Sequence, residues 1–352
     1  MVTALRRRFP DAIIEGCGGP AMAAAGARLH HGIDELAALG LVEIVAKLPA
    51  HVSLLRALRR DFTAHAYDLV VLVDYPGFHI RVAEAARAAG TPVLYYIAPQ
   101  LWAWHPGRAR RFARAVDRMA VILPFEAKFF AELGLNARFV GHPLADRDAR
   151  ISREDARRRL GIPPGAKVVG LFPGSRRQEV ARHWPIFRAA AERLVRGGHC
   201  DTMLAAAVGR REYPDPDGVR LVRDQPELVY AASDALIAKS GTTTLEAAMY
   251  GIPMIVAYRL HPLTFALFER LRNVRWISLV NLVAEREVVP ELLQDDVNAD
   301  RLAAEVAPLL DPDGAAAAHQ REALAEVRAM LGGAGAADRV AALAAELLPA
   351  WG

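Results

Sequence analysis

Cysteine is scarce in this sequence, and no long hydrophobic run occurs. The chain of 352 residues contains two cysteines, Cys17 and Cys200, which lie far apart. Such a pair argues against a disulfide framework or a thiolate zinc site and suits a reducing compartment. No apolar run approaches the roughly 18 residues that a membrane-spanning helix needs, and the first residues lack the apolar core of a signal peptide. The sequence therefore predicts a cytoplasmic protein.

A strong excess of one charge is also missing. The net charge is +4, the hydrophobic fraction 53% and the charged fraction 24%, which is ordinary for a globular protein. This balance does not require nucleic acid as a partner. The length predicts about two domains, each with its own core. The pairs Asp146 and Asp148, and Asp215 and Asp217, have metal-ligand spacing, but their turn-like or charged surroundings lead us to predict no metal site and no cofactor.

The stretch 235–259 has the pattern of a strand, a polar loop and a helix. An apolar run is followed by Ser240, Gly241 and three threonines, then by a short helical segment and a second strand. In that order, unpaired backbone N–H groups and the positive end of a helix dipole point at one place, where phosphate can bind. Glu246, one turn into the helix, can accept hydrogen bonds from a ribose diol. Alternatively, Thr243 and Glu246 form a capping box and serve only the helix.

A second loop of the same kind follows the predicted strand 167–172. Gly174, Ser175 and Arg176 combine a tight turn, a hydroxyl and a cation just before a helix predicted from about residue 178. This combination suits a pyrophosphate, although such a turn is also common in loops without a ligand. Two such loops after parallel strands favour the ligand-binding interpretation of Glu246.

Asp74 is the candidate catalytic residue of the first half. It follows an apolar run, 69–73, that predicts a strand buried on both faces, and it precedes a Pro-Gly turn. Ligands bind at the carboxyl ends of strands in open α/β sheets, where a carboxylate can act as a general base on a hydroxyl. The alternative is an aspartate that only caps the turn.

Three other segments have two interpretations each. Trp102 and Trp104, after a strand predicted over 92–97, suggest either the wall of an apolar or sugar-binding pocket or a local packing cluster. Segment 39–60 mixes leucines and valines with basic residues, which suits either a helix lying on anionic lipid or a core helix. Pro49 is expected to divide this segment into two pieces. A cluster of five arginines suggests either a phosphate site or a solvated face. The cluster consists of Arg108, Arg110, Arg111, Arg114 and Arg118.

Seven motifs in the chain resemble those of the lipid-A-disaccharide synthase family, whose members are glycosyltransferases of the GT-B fold. The set is specific to this family, whereas the SGT-x-x-LE pattern alone indicates only a GT-B transferase. The motifs follow the family's order over almost the whole chain and are VDYPGFHI (73–80), APQLWAW (98–104), LPFE (123–126), FVGHPLAD (139–146), LFPGSRRQEV (171–180), SGTTTLEAAMYGIPMIVAYR (240–259) and SLVNLVAERE (278–287).

The resemblance implies an α/β protein of two Rossmann-like domains whose parallel sheets face each other across a cleft. The predicted domains are 1–145, which binds the acceptor, and 146–352, which binds the UDP-sugar and ends in C-terminal helices. The implied reaction transfers 2,3-diacylglucosamine from UDP-2,3-diacylglucosamine to the 6-hydroxyl of 2,3-diacylglucosamine 1-phosphate, or lipid X. The products are a β-1,6-linked disaccharide phosphate and UDP.

The resemblance also assigns roles to individual residues. Asp74 is the base that deprotonates the acceptor hydroxyl, Arg176 contacts the nucleotide phosphates, and Glu246 holds the UDP ribose. No metal is needed, because a helix dipole and Arg176 can offset the charge on the leaving UDP. The other predicted UDP-sugar contacts are Gly174, Ser175, Ser240, Gly241, Thr242 and Asn281. The predicted acceptor pocket contains Gln100, Trp102 and Trp104.

Partners follow from the same resemblance. Acylated substrates make 39–60 a candidate docking surface on the cytoplasmic face of the inner membrane, and the region after about 260 is expected to take part in a homodimer. Family members carry a first strand and a Gly-Glu-(Ser/Thr)-Ser-Gly-Asp loop before the helix that here starts at Val2. We therefore expect either a start codon placed too far downstream or a shortened chain. Two alternatives stay open: another GT-B UDP-sugar enzyme, such as a peptidoglycan-intermediate transferase or a UDP-sugar epimerase, and a nucleotide-binding homologue without activity.

Overall fold

The computed structural model describes residues 1–32, 41–65, 67–104, 107, 109–147 and 150–348, with the backbone alone for 41–47, 104, 263, 267 and 271. The chain divides into two compact units. Unit 1 contains Met1–Asp146 and the described part of Gly333–Gly352, and unit 2 contains Arg147–Gly332.

Unit 1 is built on a parallel sheet with short strands. Its strands are β1 Glu15–Gly18, β2 Arg28–Gly32, β3 Val70–Val73, β4 Val93–Tyr96, β5 Arg118–Val121 and β6 Ala137–Phe139. Four of them form a parallel sheet in the order β3-β4-β5-β6, and β1 pairs separately with β2. Its helices are α1 Val2–Arg8, α2 Pro20–Ala24, α3 Leu41–Ala64, α4 Pro76–Ala88, α5 Leu101–Trp104, α6 Ala109–Ala115, α7 Pro124–Glu132 and, at the end of the chain, α16 Ala336–Ala345.

Unit 2 has a wider sheet with helices between its strands. Its strands are β7 Val168–Phe172, β8 Thr202–Ala207, β9 Val219–Arg223, β10 Ala235–Lys239, β11 Met254–Tyr258 and β12 Glu291–Leu293. They form a six-stranded parallel sheet in the order β12-β11-β10-β7-β8-β9. Its helices are α8 Arg153–Arg159, α9 Arg177–Arg196, α10 Pro226–Ala232, α11 Thr242–Tyr250, α12 Pro262–Leu271, α13 Leu279–Ala284, α14 Ala299–Val306 and α15 Ala315–Met330.

The strand order of unit 2 reverses between β7 and β10. The chain adds β8 and β9 on one side of β7, then returns to its other side and adds β10, β11 and β12. This is the order of a doubly wound nucleotide-binding domain. The predicted α/β class with two Rossmann-like domains is therefore confirmed, and the reversal point is the place where sheets of this kind bind ligands.

Helix α9 shows how the sequence pattern becomes packing in unit 2. Its apolar residues recur every three or four positions, so they lie on one helical face. The side chains of Val180, Trp184, Phe187, Ala191 and Leu194 are all buried in the core that α9 shares with the sheet. This packing fixes the start of α9, and with it the loop from β7, against the end of the sheet.

The C-terminal helix corrects the predicted domain division. The sequence predicted a second domain of residues 146–352, but α16 packs Val340 and Leu343 against Leu94 and Tyr96 of unit 1. Asp146 reinforces this arrangement, because its carboxylate accepts N–H bonds from Gly335, Ala336 and Ala337 at the start of α16. An amphipathic helix carries no sequence signal for which of two sheets it covers.

Two predicted helices also have different bounds in the structure. Helix α3 continues through Pro49 as one element, although this proline cannot donate a backbone hydrogen bond and was expected to split the segment. The helix predicted over 146–160 is shorter, because α8 covers only its last part and begins after Ser152, whose side chain accepts a hydrogen bond from the Asp155 N–H.

His183 on α9 is expected to make the stability of unit 2 depend on pH. The ring is 1% exposed. Its Nε2 accepts a hydrogen bond from the Arg259 N–H at 3.1 Å, so the neutral ring donates from Nδ1 to the Glu179 carbonyl at 2.8 Å. Burial, as the largest cause, lowers the pKa of His183 to about 4. Because an unfolded histidine has a pKa of about 6.5, this group stabilises the fold above that pH, and the stability is lost as the pH falls toward 4.

The size of this effect can be measured against a variant that does not titrate. The amide of His183→Gln can both donate to the Glu179 carbonyl and accept from the Arg259 N–H. Between about pH 7.5 and about pH 5, the wild type should lose roughly 2 kcal/mol of unfolding free energy more than the variant. Urea unfolding of both proteins at each pH checks this, and parallel pH curves would contradict it.

Candidate functional site

Two loops of unit 2 emerge side by side at the point where the strand order reverses. Strand β7 ends at Phe172, whose register partner on β10 is Ala238. The loop 173–176 follows β7, and the loop that begins at Ser240 follows β10. Ligands of doubly wound sheets bind at this switch point, outside the carboxyl ends of the strands. The two loops predicted from the sequence therefore share one edge of the sheet.

The loop after β7 is closed by its own chain. The Glu179 carboxylate accepts the N–H groups of Ser175 and Arg176 at 3.1 and 3.2 Å and pairs with the Lys239 ammonium at 3.1 Å. Burial opposes ionisation of Glu179, but Lys239 and the two N–H groups outweigh it and lower the pKa of this carboxyl. Gly174 has a φ of +114°, and a Cβ there would lie 2.6 Å from the Cβ of Glu179. Glycine therefore allows this close approach.

The backbone of this loop is not what it presents to a ligand. The tight turn, the Ser175 hydroxyl and the Arg176 cation were predicted to suit a pyrophosphate, and the N–H groups of Ser175 and Arg176 bond to an internal carboxylate. The guanidinium of Arg176 makes a 3.4 Å contact with Glu179, and its side chain is 70% exposed. This loop therefore offers a ligand the exposed side chains of Ser175 and Arg176.

The loop after β10 leaves its helix end open. Helix α11 begins at Thr242, with Gly241 before it at φ 155° and ψ −162°, and no side chain of the described chain caps its N–H groups. This combination of φ and ψ is essentially restricted to glycine. Ser240 is 8% exposed, and its hydroxyl donates to the Ile277 carbonyl at 2.7 Å. Ser240 and Gly241 thus shape the loop, and the start of α11 offers free N–H groups to an anion.

Glu246 does not cap its own helix, so the capping-box alternative is wrong. Its carboxylate makes a 3.5 Å contact with the Arg147 guanidinium and interacts with the Tyr230 hydroxyl. The Glu246 side chain is 23% exposed, whereas that of Arg147 is 71% exposed. Glu246 is therefore accessible beside the open end of α11.

Asn281 was predicted to contact the nucleotide, but the structure gives its side chain another role. The residue is fully buried. Its amide nitrogen donates to the Val289 carbonyl and to Glu291, and its amide oxygen accepts the N–H groups of Val288 and Val289. These bonds occupy both donors and both acceptor positions of the amide. Asn281 therefore holds the turn between α13 and β12 and has no polar group left for a ligand.

Asp74 occupies a strained turn between β3 and α4 in unit 1. Asp74 and Tyr75 have φ values of 51° and 50°, in the left-handed region that costs free energy for residues other than glycine. The turn is held by its backbone, because the Asp74 carbonyl accepts bonds from His79 Nδ1 at 2.7 Å and from the Tyr95 hydroxyl at 2.6 Å. Helix α4 has no side-chain cap, and Asp74 is exposed. The carboxylate is thus presented to solvent, and the turn-capping alternative is wrong.

The predicted acceptor pocket is only partly described. Trp102 lies on the helical turn α5, is 6% exposed and packs edge-to-face on Phe125 at 5.0 Å. This is the packing-cluster alternative, so Trp102 is not an open pocket wall. Gln100 is exposed at the carboxyl end of β4, and the side chain of Trp104 lies outside the described residues.

Sequence analysis missed the buried partner of Trp102. Glu126 is 1% exposed and accepts hydrogen bonds from Trp102 Nε1 and from the Leu123 N–H, both at 3.0 Å. Burial raises the pKa of Glu126 to about 7, although these donors act in the opposite direction. The sequence did contain a pattern that predicts the bond to Leu123, because a glutamate at the third position of a helix typically accepts a hydrogen bond from its N-cap backbone.

Three arginines of the predicted cluster, Arg110, Arg111 and Arg114, line an open cavity of about 530 Å³ in unit 1 together with Arg87. Arg118 is not part of this cavity and lies on β5 beside Glu346. Two of its arginines are paired: Arg111 donates two hydrogen bonds to Glu84, and Arg87 pairs with Asp117. Within the described part of the chain, Arg110 and Arg114 have no acidic partner and are exposed. Arg108 lies outside the described residues. The cavity is therefore a net positive surface.

The described residues offer neither a candidate metal site nor a membrane-spanning helix. No group of three histidine, cysteine or acidic residues among them is placed to hold a metal ion. None of the described helices is long and apolar enough to cross a bilayer.

Comparison with solved structures shows the fold. A putative UDP-N-acetylglucosamine 2-epimerase from Listeria monocytogenes is 12% identical with a TM-score of 0.63, over 96% of this chain and 90% of that one. Arabidopsis thaliana UGT89C1 complexed with UDP is 15% identical with a TM-score of 0.62, over 98% and 95%. Acinetobacter baumannii MurG is 13% identical with a TM-score of 0.57, over 98% and 94%. These likenesses indicate the GT-B fold.

Comparison with sequences shows the family. The model of one protein family, described as lipid-A-disaccharide synthetase, matches residues 1–334. Lipid-A-disaccharide synthase of Geobacter metallireducens is 41% identical, over 97% of this chain and 91% of the relative. The enzyme of the same name from Myxococcus xanthus is 38% identical, over 99% and 93%. The chain therefore belongs to the lipid-A-disaccharide synthase family and is a glycosyltransferase that forms the lipid A disaccharide.

Proposed function

We propose that the chain transfers 2,3-diacylglucosamine from UDP-2,3-diacylglucosamine to the 6-hydroxyl of 2,3-diacylglucosamine 1-phosphate. The observation that carries the proposal is the pair of adjacent loops at the switch point of unit 2, one with Arg176 and one leading to Glu246. Nucleotides bind at such points in doubly wound sheets. Membership of the family supplies the identity of the two sugars.

Three groups of unit 2 are assigned to UDP. The uncapped start of α11 would bind a diphosphate oxygen through its N–H groups, which carry the positive end of the helix dipole. The exposed Arg176 guanidinium would neutralise the rest of the diphosphate charge. The accessible Glu246 carboxylate would accept hydrogen bonds from the ribose hydroxyls. Gly174, Ser240 and Gly241 contribute by shaping the two loops.

Asp74 of unit 1 is assigned as the general base. Its exposed carboxylate would take the proton from the acceptor 6-hydroxyl as that oxygen attacks C1 of the donor sugar. The bond between C1 and the β-phosphate oxygen breaks on the opposite side, so the configuration inverts and the new linkage is β. Arg176 and the start of α11 would stabilise the negative charge that UDP gains on leaving.

Product analysis tests this proposal. The full chain is incubated with UDP-2,3-diacylglucosamine and 2,3-diacylglucosamine 1-phosphate, and mass spectrometry and linkage analysis should identify a β-1,6-linked disaccharide phosphate together with UDP. UDP-N-acetylglucosamine serves as the donor control and should give little product. Equal use of that donor would point to another GT-B UDP-sugar enzyme. Binding of UDP without any disaccharide would point to a homologue without activity.

We also propose that unit 1 binds the cytoplasmic face of the inner membrane peripherally. The described part of α3 supports this less than expected, because Leu54 is buried and Leu55 and Leu58 pack against the core. The support comes instead from Leu48, which is 51% exposed on α3, and from the arginine-lined cavity. Each basic residue near an anionic bilayer surface contributes about 1 kcal/mol of binding.

Charge reversal tests the membrane proposal. The double variant R110E/R114E should reduce flotation with vesicles containing anionic phospholipid by at least about 10-fold, since each reversal removes attraction and adds repulsion. Raising the salt concentration should act in the same direction. The control, R196E/R328E, reverses two exposed arginines of unit 2. Equal loss in both double variants would place the binding surface elsewhere.

The predicted homodimer rests on the family resemblance alone. Light scattering of the purified chain tests it directly.

A further inference from the structure

Tyr230 is a buried tyrosine that joins the two loops of the nucleotide site. It lies on α10 and is 2% exposed. Its ring stacks on Phe172 with centroids 4.3 Å apart and planes at 18°, and on Tyr250 with centroids 5.4 Å apart and planes at 17°. Phe172 is the last residue of β7, directly before the loop with Arg176. Tyr250 is the last residue of α11, the helix that carries Glu246.

The Tyr230 hydroxyl points at the start of α11. It donates its one proton to the Thr243 carbonyl at 3.4 Å, and the Glu246 carboxylate lies close enough for its negative charge to act on the hydroxyl. Burial first, and then the negative charge of Glu246, raise the pKa of Tyr230 well above its usual value. The hydroxyl therefore keeps its proton and remains a donor at every pH at which the protein functions.

The other neighbour of Glu246 is an exposed arginine. Arg147 approaches one carboxylate oxygen at 3.5 Å, and its side chain is 71% exposed. An exposed pair of this length contributes little and loses side-chain entropy when it forms. Glu246 thus lies between one buried neighbour, Tyr230, and one exposed neighbour that a ligand can displace.

We infer that Tyr230 is a positioning residue for the nucleoside diphosphate site, orienting Glu246 toward the ribose hydroxyls of the ligand. This inference rests on the proposed binding of the ribose by Glu246. Through its stack on Phe172, the same ring sets the distance between the Glu246 helix and the loop that carries Arg176. A single buried side chain therefore aligns the ribose contact with the diphosphate contact.

Tyr230→Phe tests the role of the hydroxyl, because it preserves the ring and its stacking. UDP should bind about 5-fold more weakly, as expected when a hydrogen bond of about 1 kcal/mol that holds the start of α11 is lost. The KM for the UDP-sugar should rise by a similar factor, while kcat changes less. The matched control is Tyr250→Phe, which removes the hydroxyl from the neighbouring ring of the same stack. No hydrogen bond of the Tyr250 hydroxyl is found among the described residues, so UDP affinity should change by less than about 2-fold.

A double-mutant cycle then separates positioning from a general structural role. If Tyr230 acts through Glu246, adding Tyr230→Phe to Glu246→Gln should weaken UDP binding little further, measured by calorimetry. Additive losses would overturn the inference, as would unchanged UDP affinity in Tyr230→Phe while Glu246→Gln binds weakly. If Glu246→Gln itself binds UDP normally, the proposed ribose contact fails instead, and this outcome is distinct from the failure of Tyr230.

Discussion

Asp74→Asn is expected to slow disaccharide formation by roughly 10²- to 10⁴-fold, the usual contribution of a general base. Asparagine has the same size but cannot accept the proton of the acceptor hydroxyl. It also tolerates the left-handed backbone that Asp74 adopts with φ 51°. The turn between β3 and α4 should therefore persist, and the loss should appear in kcat measured at saturating donor and acceptor.

The controls for this variant separate chemistry from binding and from strain. UDP affinity, measured by calorimetry, should be unchanged, because the UDP contacts are assigned to unit 2. Asp68→Asn removes an exposed carboxylate just before the same strand and should leave kcat close to that of the wild type. Near-normal turnover in Asp74→Asn would show that Asp74 is not the base.

Glu246→Ala is expected to weaken UDP binding by about 1.5–3 kcal/mol, or roughly 10- to 150-fold, the contribution of hydrogen bonds to a charged group. The structural reason is that Glu246 is accessible beside the open start of α11 and is not used to cap that helix. Stability should change little, since the Arg147 contact is exposed. Calorimetric titration with UDP measures the effect.

A nucleotide that lacks one ribose hydroxyl tests whether Glu246 contacts the ribose. The wild type should bind 2′-deoxy-UDP more weakly than UDP, whereas Glu246→Ala should bind the two with similar affinity because the acceptor is already gone. Glu322→Ala on the exposed side of α15 is the control and should behave as the wild type. A variant that still discriminates between the two nucleotides would rule out Glu246 as the ribose contact.

The elements at the ends of parallel strands were predictable from local sequence. The apolar run before Ser240, the stop at Gly251 and the strand Met254–Tyr258 all appear in the structure. These features depend on residues close in the chain: an apolar run buried on both faces, and a glycine whose φ of 68° ends the helix. The same reasoning from local sequence selected Asp74 and Glu246 as candidate site residues.

What sequence could not decide was the partner of each polar side chain. Asn281 lies in a family motif, yet its amide bonds are made with Val288, Val289 and Glu291. The Glu179 carboxylate bonds to the N–H groups of Ser175 and Arg176 in the predicted pyrophosphate loop, and Lys239 on β10 pairs with the same carboxylate. Such pairings depend on where distant segments meet, and spacing within one motif does not report them.

One apolar face of the sheet of unit 1 is covered by α16, near the end of the described chain, and this has a consequence for biosynthesis. Asp146 and Gly335, which bond to each other, are separated by 189 positions in the sequence. A ribosome that has finished β6 must still make all of unit 2 before α16 emerges to cover Leu94 and Tyr96. Throughout that interval the nascent chain carries an apolar sheet face that lacks the cover of α16, which is the kind of surface that chaperones protect from aggregation.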